Sequence, residues 1–98
     1  MEQTIISRTT QMFKILGDET RFRILYLLED QEWYVNAIAE ELGMEQSAVS
    51  HQLKKLREAN LVKSRRVGKH MLYSQDDTQV YDILHMAVTH TSHSLTKD

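Results

Sequence analysis

The stretch from Asn36 to Glu58 constrains this chain more than any other. Ala37–Leu42 is a short helical segment that stops at Gly43, and Asn36 before it is the expected N-cap. A few residues on, Gln46–Glu58 sets Val49, Leu53 and Leu56 on one helical face and leaves polar residues on the other. A short helix, a glycine turn and a second helix form the helix-turn-helix pattern. Directly after it, Leu61–Arg66 and His70–Ser74 are β-prone segments around Val67-Gly68-Lys69, which predicts a hairpin in the position of a wing.

The flanking segments read as helices. Residues 2–16 carry Ile5, Ile6, Met12, Phe13, Ile15 and Leu16 with helical clustering, and Gly17 is the natural stop. Asp18 then caps a second helix whose buried stripe is Phe22, Ile24, Leu25, Leu27 and Leu28. Trp33-Tyr34-Val35 reads as a short strand or an extended lead-in. From Asp76 or Asp77 the chain turns helical again, with Val80, Ile83, Leu84, Ala87, Val88 and Thr91 at three- and four-residue steps. The expected fold is mainly α with a β-hairpin: a winged helix-turn-helix in the order α-α-α-α-β-β-α. It forms one domain over 1–98, with the helix-turn-helix at 36–58 and the wing at 61–75. A chain of 98 residues buries a limited share of its surface, so a subunit interface is expected to supplement the core.

Charge becomes informative when taken segment by segment. The whole chain carries −2, but Gln46–Gln75 holds seven lysines and arginines against Glu58 alone, a local +6 that leaves −8 for the remainder. Nucleic acid responds to the local field, so a basic segment on an acidic body can be a DNA footprint as well as a solvated face, and the helix-turn-helix just upstream favours the former. No run of 18 apolar residues exists to span a bilayer, and Met1-Glu2-Gln3 lacks the basic start and apolar stretch of a secretory signal. Cysteine is absent, which removes disulfides, thiolate metal sites and thiol redox sensing. A cytoplasmic protein is the expectation. Enzyme classes are disfavoured too: there is no Gly-rich phosphate loop, nucleophile motif or His-Glu-x-x-His segment.

In a helix-turn-helix the second helix lies in the major groove, and its N-terminal residues meet the base edges. Here these are Gln46, Ser47, Ser50, His51 and Lys54. Glutamine can pair with adenine through two hydrogen bonds, and serine is short enough to reach a base or a phosphate. Lys54 and Lys55 serve the backbone, while Arg65, Arg66 and Lys69 of the wing contact phosphates or enter the minor groove.

Leu16-Gly17-Asp18-Glu19-Thr20-Arg21-Phe22-Arg23-Ile24-Leu25, Gln46-Ser47-Ala48-Val49-Ser50-His51-Gln52-Leu53-Lys54-Lys55-Leu56 and Gly68-Lys69-His70-Met71-Leu72-Tyr73-Ser74 resemble the ArsR/SmtB family of winged-helix repressors. The resemblance runs from about residue 8 to 93. It implies a homodimer built through the first and last helices, 1–16 and 77–93, that binds an imperfectly palindromic operator in double-stranded DNA and releases it when an inducer binds. Tyr34 and Asn36 stand where the thiolate-using members carry cysteines. The chain is most similar to the zinc-sensing branch, whose ligand pattern falls on Asp77, Gln79, His90 and His93. The implied cofactor is regulatory zinc, with cobalt or nickel as substitutes.

Spacing restricts how those residues can act. His90 and His93 are three apart and share a helical face. Asp77 precedes His90 by a helical rise of roughly 20 Å, against a metal–ligand bond of about 2 Å. On a continuous helix, Asp77 and His90 of one chain cannot hold the same ion. An antiparallel pairing with a second copy sets Asp77 against the partner's His93 and Gln79 against the partner's His90, with the two-fold crossing near Leu84–His85. His85 is then an interface residue. Gln79 departs from the family's histidine and offers a weak neutral oxygen: either it coordinates, or water or Asp76 takes its place, or the site is degenerate and the repressor answers to another signal or to none. The resemblance further implies that His90 reaches the main chain near Asn60, just beyond the recognition helix.

Overall fold

The computed structural model describes residues 1–96; the last two residues of the expected 1–98 domain lie outside them. Five helices and three strands follow in the order α1 (Gln3–Leu16), α2 (Glu19–Leu27), β1 (Trp33–Tyr34), α3 (Val35–Leu42), α4 (Gln46–Glu58), β2 (Val62–Val67), β3 (His70–Gln75) and α5 (Thr78–Thr96). The expected α-α-α-α-β-β-α order therefore gains one strand. Trp33 pairs with Tyr73 and Tyr34 with Leu72, so β1 joins the outer side of β3 in an antiparallel sheet of order β1-β3-β2.

Local chemistry explains most boundaries. The Asp18 carboxylate accepts from the Arg21 amide at 3.0 Å and starts α2, as expected. Asn36 does not cap α3: the N-cap is Tyr34, and Asn36 lies within the first turn. Pairing of Tyr34 with Leu72 holds that residue extended, so the helix begins at Val35, two residues earlier than the asparagine signal suggests.

Both helices of the helix-turn-helix end the same way. Gly43 is left-handed at φ 65°, with its amide on the Glu40 carbonyl and the Met44 amide on the Ala39 carbonyl. Asn60 repeats this at φ 61°, with its amide on Arg57 and the Leu61 amide on Leu56. This is the Schellman closure, which uses up carbonyls that a helix end leaves orphaned. Between β2 and β3 the two-residue turn Gly68-Lys69 has φ 63° at its glycine, the positive first position that a type II′ hairpin requires.

The core is one cluster. Ile24 and Leu25 of α2 and its C-cap Leu28, Ile38 of α3, and Val49, Leu53 and Leu56 of α4 are fully enclosed, with Leu61, Val62 and Tyr73 from the wing base and Val80, Tyr81 and Leu84 from α5 beside them. Phe22 and Leu27, expected in the α2 stripe, are only partly buried against it. α1 contributes a single buried residue, Leu16. From His85 to Leu95, α5 is exposed except at the half-buried Val88.

Candidate DNA interface and metal-ligand positions

Because Val49, Leu53 and Leu56 face inward, the opposite side of α4 is turned to solvent. Gln46, Ser47, Ser50, His51 and Lys54 are all exposed there. The hairpin carries Arg65, Arg66 and Lys69 exposed as well. One helix and one hairpin thus present eight polar or cationic side chains, while every described apolar anchor of α4 is committed to the core.

Arg65 has a partner that sequence reasoning missed. Its guanidinium lies 3.2 Å from the Glu32 carboxylate in the segment before β1. Both side chains are substantially exposed, so this pair adds little stability and leaves Arg65 available to a stronger anion.

Two further contacts hold α4 in place. Arg21 of α2 donates from Nε to the Ile15 carbonyl at 2.9 Å and from Nη1 to Gln52 Oε1 at 3.2 Å. One side chain thereby ties the end of α1, α2 and the recognition helix together. From the other side, the Tyr81 hydroxyl of α5 donates to the Leu61 carbonyl at 3.3 Å, and the Asp76 amide donates to the same oxygen at 3.2 Å. Burial, with the nearby Asp76 charge adding to it, pushes the Tyr81 phenol well above its ordinary range and keeps it a donor. Tyr81, near the start of α5, thus bonds the main chain just after α4, beside the Asn60 region that the resemblance assigns to His90.

The four metal-ligand candidates all belong to α5 or its lead-in. α5 begins at Thr78 rather than at Asp76 or Asp77. Asp77 is its cap: Oδ1 accepts from the Gln79 amide at 2.9 Å and from the Val80 amide at 3.4 Å. Oδ2 makes neither bond. His90 and His93 line a shallow open groove with His85, Met86 and Thr89 on the far half of the helix. The helix is unbroken between the two ends. Among the described residues of one protomer, no group of three or more histidines or carboxylates converges on a metal position. Within one protomer, His85 Nδ1 lies 3.3 Å from the Glu29 carboxylate.

A recognition helix held against a three-stranded wing, with basic residues on both, defines a winged helix-turn-helix DNA-binding regulator. The comparisons narrow the class. The sequence pattern described as "Bacterial regulatory protein, arsR family" matches residues 18–64. The HTH-type transcriptional regulator NmtR of Mycobacterium tuberculosis is 37% identical over 93 residues, covering 95% of this chain and 78% of that protein. The chain spans 65% and 64% of the length of the next two curated relatives. A homodimeric winged helix-turn-helix domain from Mycobacterium bovis, a possible ArsR-family regulator, superposes with a TM-score of 0.87 at 26% identity, over 97% of this chain and 88% of that one. The AntR antimony-specific transcriptional repressor superposes at 0.88 with 25% identity, over 98% and 87%. The chain belongs to the ArsR family of bacterial regulatory proteins. It is a regulator of transcription and not an enzyme. Among the described residues no helix is long and apolar enough to cross a membrane.

Proposed function

We propose that this chain is a cytoplasmic homodimeric repressor that binds an imperfectly palindromic operator and releases it when a transition metal binds between subunits. Gln46, Ser47, Ser50, His51 and Lys54 read or approach the major groove, and Arg65, Arg66 and Lys69 hold the flanking backbone. Zinc is the first choice of inducer, with cobalt or nickel next.

The observation that carries the inducer reading is the continuous α5, with an acidic cap at one end and two imidazoles at the other. A rise of roughly 20 Å separates them, so a shared ion requires two copies of the helix running in opposite directions. Exposed apolar side chains on both outer helices, Ile5 and Phe13 of α1 and Met86 of α5, supply a surface for that pairing. Asp77 Oδ2, the Gln79 carbonyl, His90 and His93 would hold the ion. These oxygen and nitrogen donors, in a chain without cysteine, suit zinc, cobalt or nickel better than a soft thiophile. The ion would supply a divalent charge that favours one dimer shape. Its effect on DNA affinity must equal the effect of DNA on metal affinity.

The capping bonds of Asp77 also favour a second reading, in which that carboxylate only starts α5 and the repressor answers to another signal or to none. Zinc titration of the apo protein on a duplex selected by its own binding separates the two. Saturating zinc is expected to weaken DNA binding by about tenfold or more. His90→Ala and His93→Ala should bind DNA as before but lose the zinc response, and Gln79→His should tighten zinc binding. Unchanged DNA affinity under zinc, cobalt and nickel alike would leave the second reading standing.

A further inference from the structure

A cleft of about 160 Å³ opens between the start of α4 and the tip of the wing. Its polar wall is made by Asn36 from the first turn of α3, Gln46 and Ser50 from α4, and Lys69 and His70 from the hairpin. Gln46 and Ser50 are four apart and project from one helical face. The His70 ring meets the Tyr34 ring edge-on, with centroids 6.0 Å apart at 72°, which anchors the wing tip to the segment leading into α3. Two consecutive helices and the hairpin thus close around one space, and no carboxylate lines it. The Asn36, Gln46, Ser50 and Lys69 side chains make no hydrogen bond among the described residues.

The duplex explains such a space. A row of phosphates separates each groove from the next, so a protein with a helix in the major groove and a wing beside it straddles a sugar–phosphate strand. The volume is several times the roughly 30 Å³ share of a water molecule, enough to admit a phosphodiester. Amide, hydroxyl, ammonium and imidazole groups all offer hydrogens to an anion.

We propose that this cleft holds one backbone phosphodiester of the bound duplex, with Asn36 and His70 as contacts beyond the recognition helix and the wing cations. The proposal rests on the DNA-binding reading above. It adds α3 to the interface, and it gives Asn36 a role that capping does not. A phosphate contact carries no sequence information, so the effect is the same on any duplex.

The test measures binding of the full chain to a short random-sequence duplex at several potassium chloride concentrations. Asn36→Ala and His70→Ala should each weaken binding about threefold, and Asn36→Asp about tenfold, since it sets a carboxylate beside the phosphate. An aspartate in the first turn of a helix favours the helix, so an unchanged or raised thermal midpoint in Asn36→Asp separates lost contact from lost fold. Unchanged affinity in Asn36→Ala or in His70→Ala, with the unaltered protein binding normally, overturns the proposal. Failure of the unaltered protein to bind any duplex would remove the DNA-binding reading, and the role of the cleft with it.

Discussion

Tyr81 shows how much one side chain can hold here. Its ring fills the core beside Val80 and Leu84, and its hydroxyl fixes the carbonyl of Leu61, the residue directly after the left-handed Asn60 that ends the recognition helix. Removing only the hydroxyl should cost about 1 kcal/mol, because Leu61 keeps its bond from the Asp76 amide and no buried acceptor is orphaned. Chemical denaturation of Tyr81→Phe at neutral pH checks this. The pH dependence has a definite sign. The unfolded phenol ionises near pH 10 while the folded one stays neutral, so the folded state retains a proton that the unfolded state loses. Stability should therefore fall as pH rises above about 10, and less steeply in Tyr81→Phe. Neither Tyr81 nor Arg21 was legible as a link to α4. The partners are Leu61, a main-chain carbonyl, and Gln52, a polar residue 31 positions away, and neither leaves a periodic trace in sequence.

At the scale of elements, the strong local signals correspond to the structure and the weaker ones are displaced by pairing. Gly17, Asp18, Gly43 and Gly68 each stand at a helix end, a helix start or a turn, since their chemistry acts within a few residues. Asn36 lost its expected capping role because strand pairing, a long-range effect, held Tyr34 extended first. Asn60 could have been read as a helix end, asparagine being among the few residues that tolerate the left-handed region. Gly43 lends itself to a quantitative test. A Cβ there meets nothing within 4 Å, so Gly43→Ala has only the backbone cost of a positive φ. That cost is about 1–2 kcal/mol, a fall in thermal midpoint of about 5–10 °C for a domain of this size. A calorimetric scan showing no shift would mean the turn relaxes to negative φ.

The whole molecule is more extended than a self-sufficient domain. Its radius of gyration is 14.7 Å, against about 13 Å for a compact chain of 100 residues. The excess matches the outer helices: α1 buries only Leu16, Phe13 is 53% exposed and Met86 is 69% exposed. Under the dimer reading, Phe13→Glu should leave the protomer folded, because that ring is outside the core, and convert the dimer to monomer. Sedimentation should then report half the mass. Loss of paired half-site binding should weaken operator affinity about a hundredfold or more. A Phe13→Glu protein that remains dimeric would place the interface elsewhere.

The sequence alone determined what short-range rules govern: the helix-turn-helix, the hairpin, the basic face of α4 and the family. The first three follow from periodicity, turn chemistry or charge within about twenty residues, and the family from the resemblance of three short stretches. Only the tertiary structure decided which of those residues meet. It added β1 to the sheet, paired Arg65 with Glu32, made Asp77 the cap of α5 and closed a polar cleft among α3, α4 and the wing. These are encounters between segments brought together by burial of a common core, and burial records which side chains turn inward but not which polar neighbours are left facing one another.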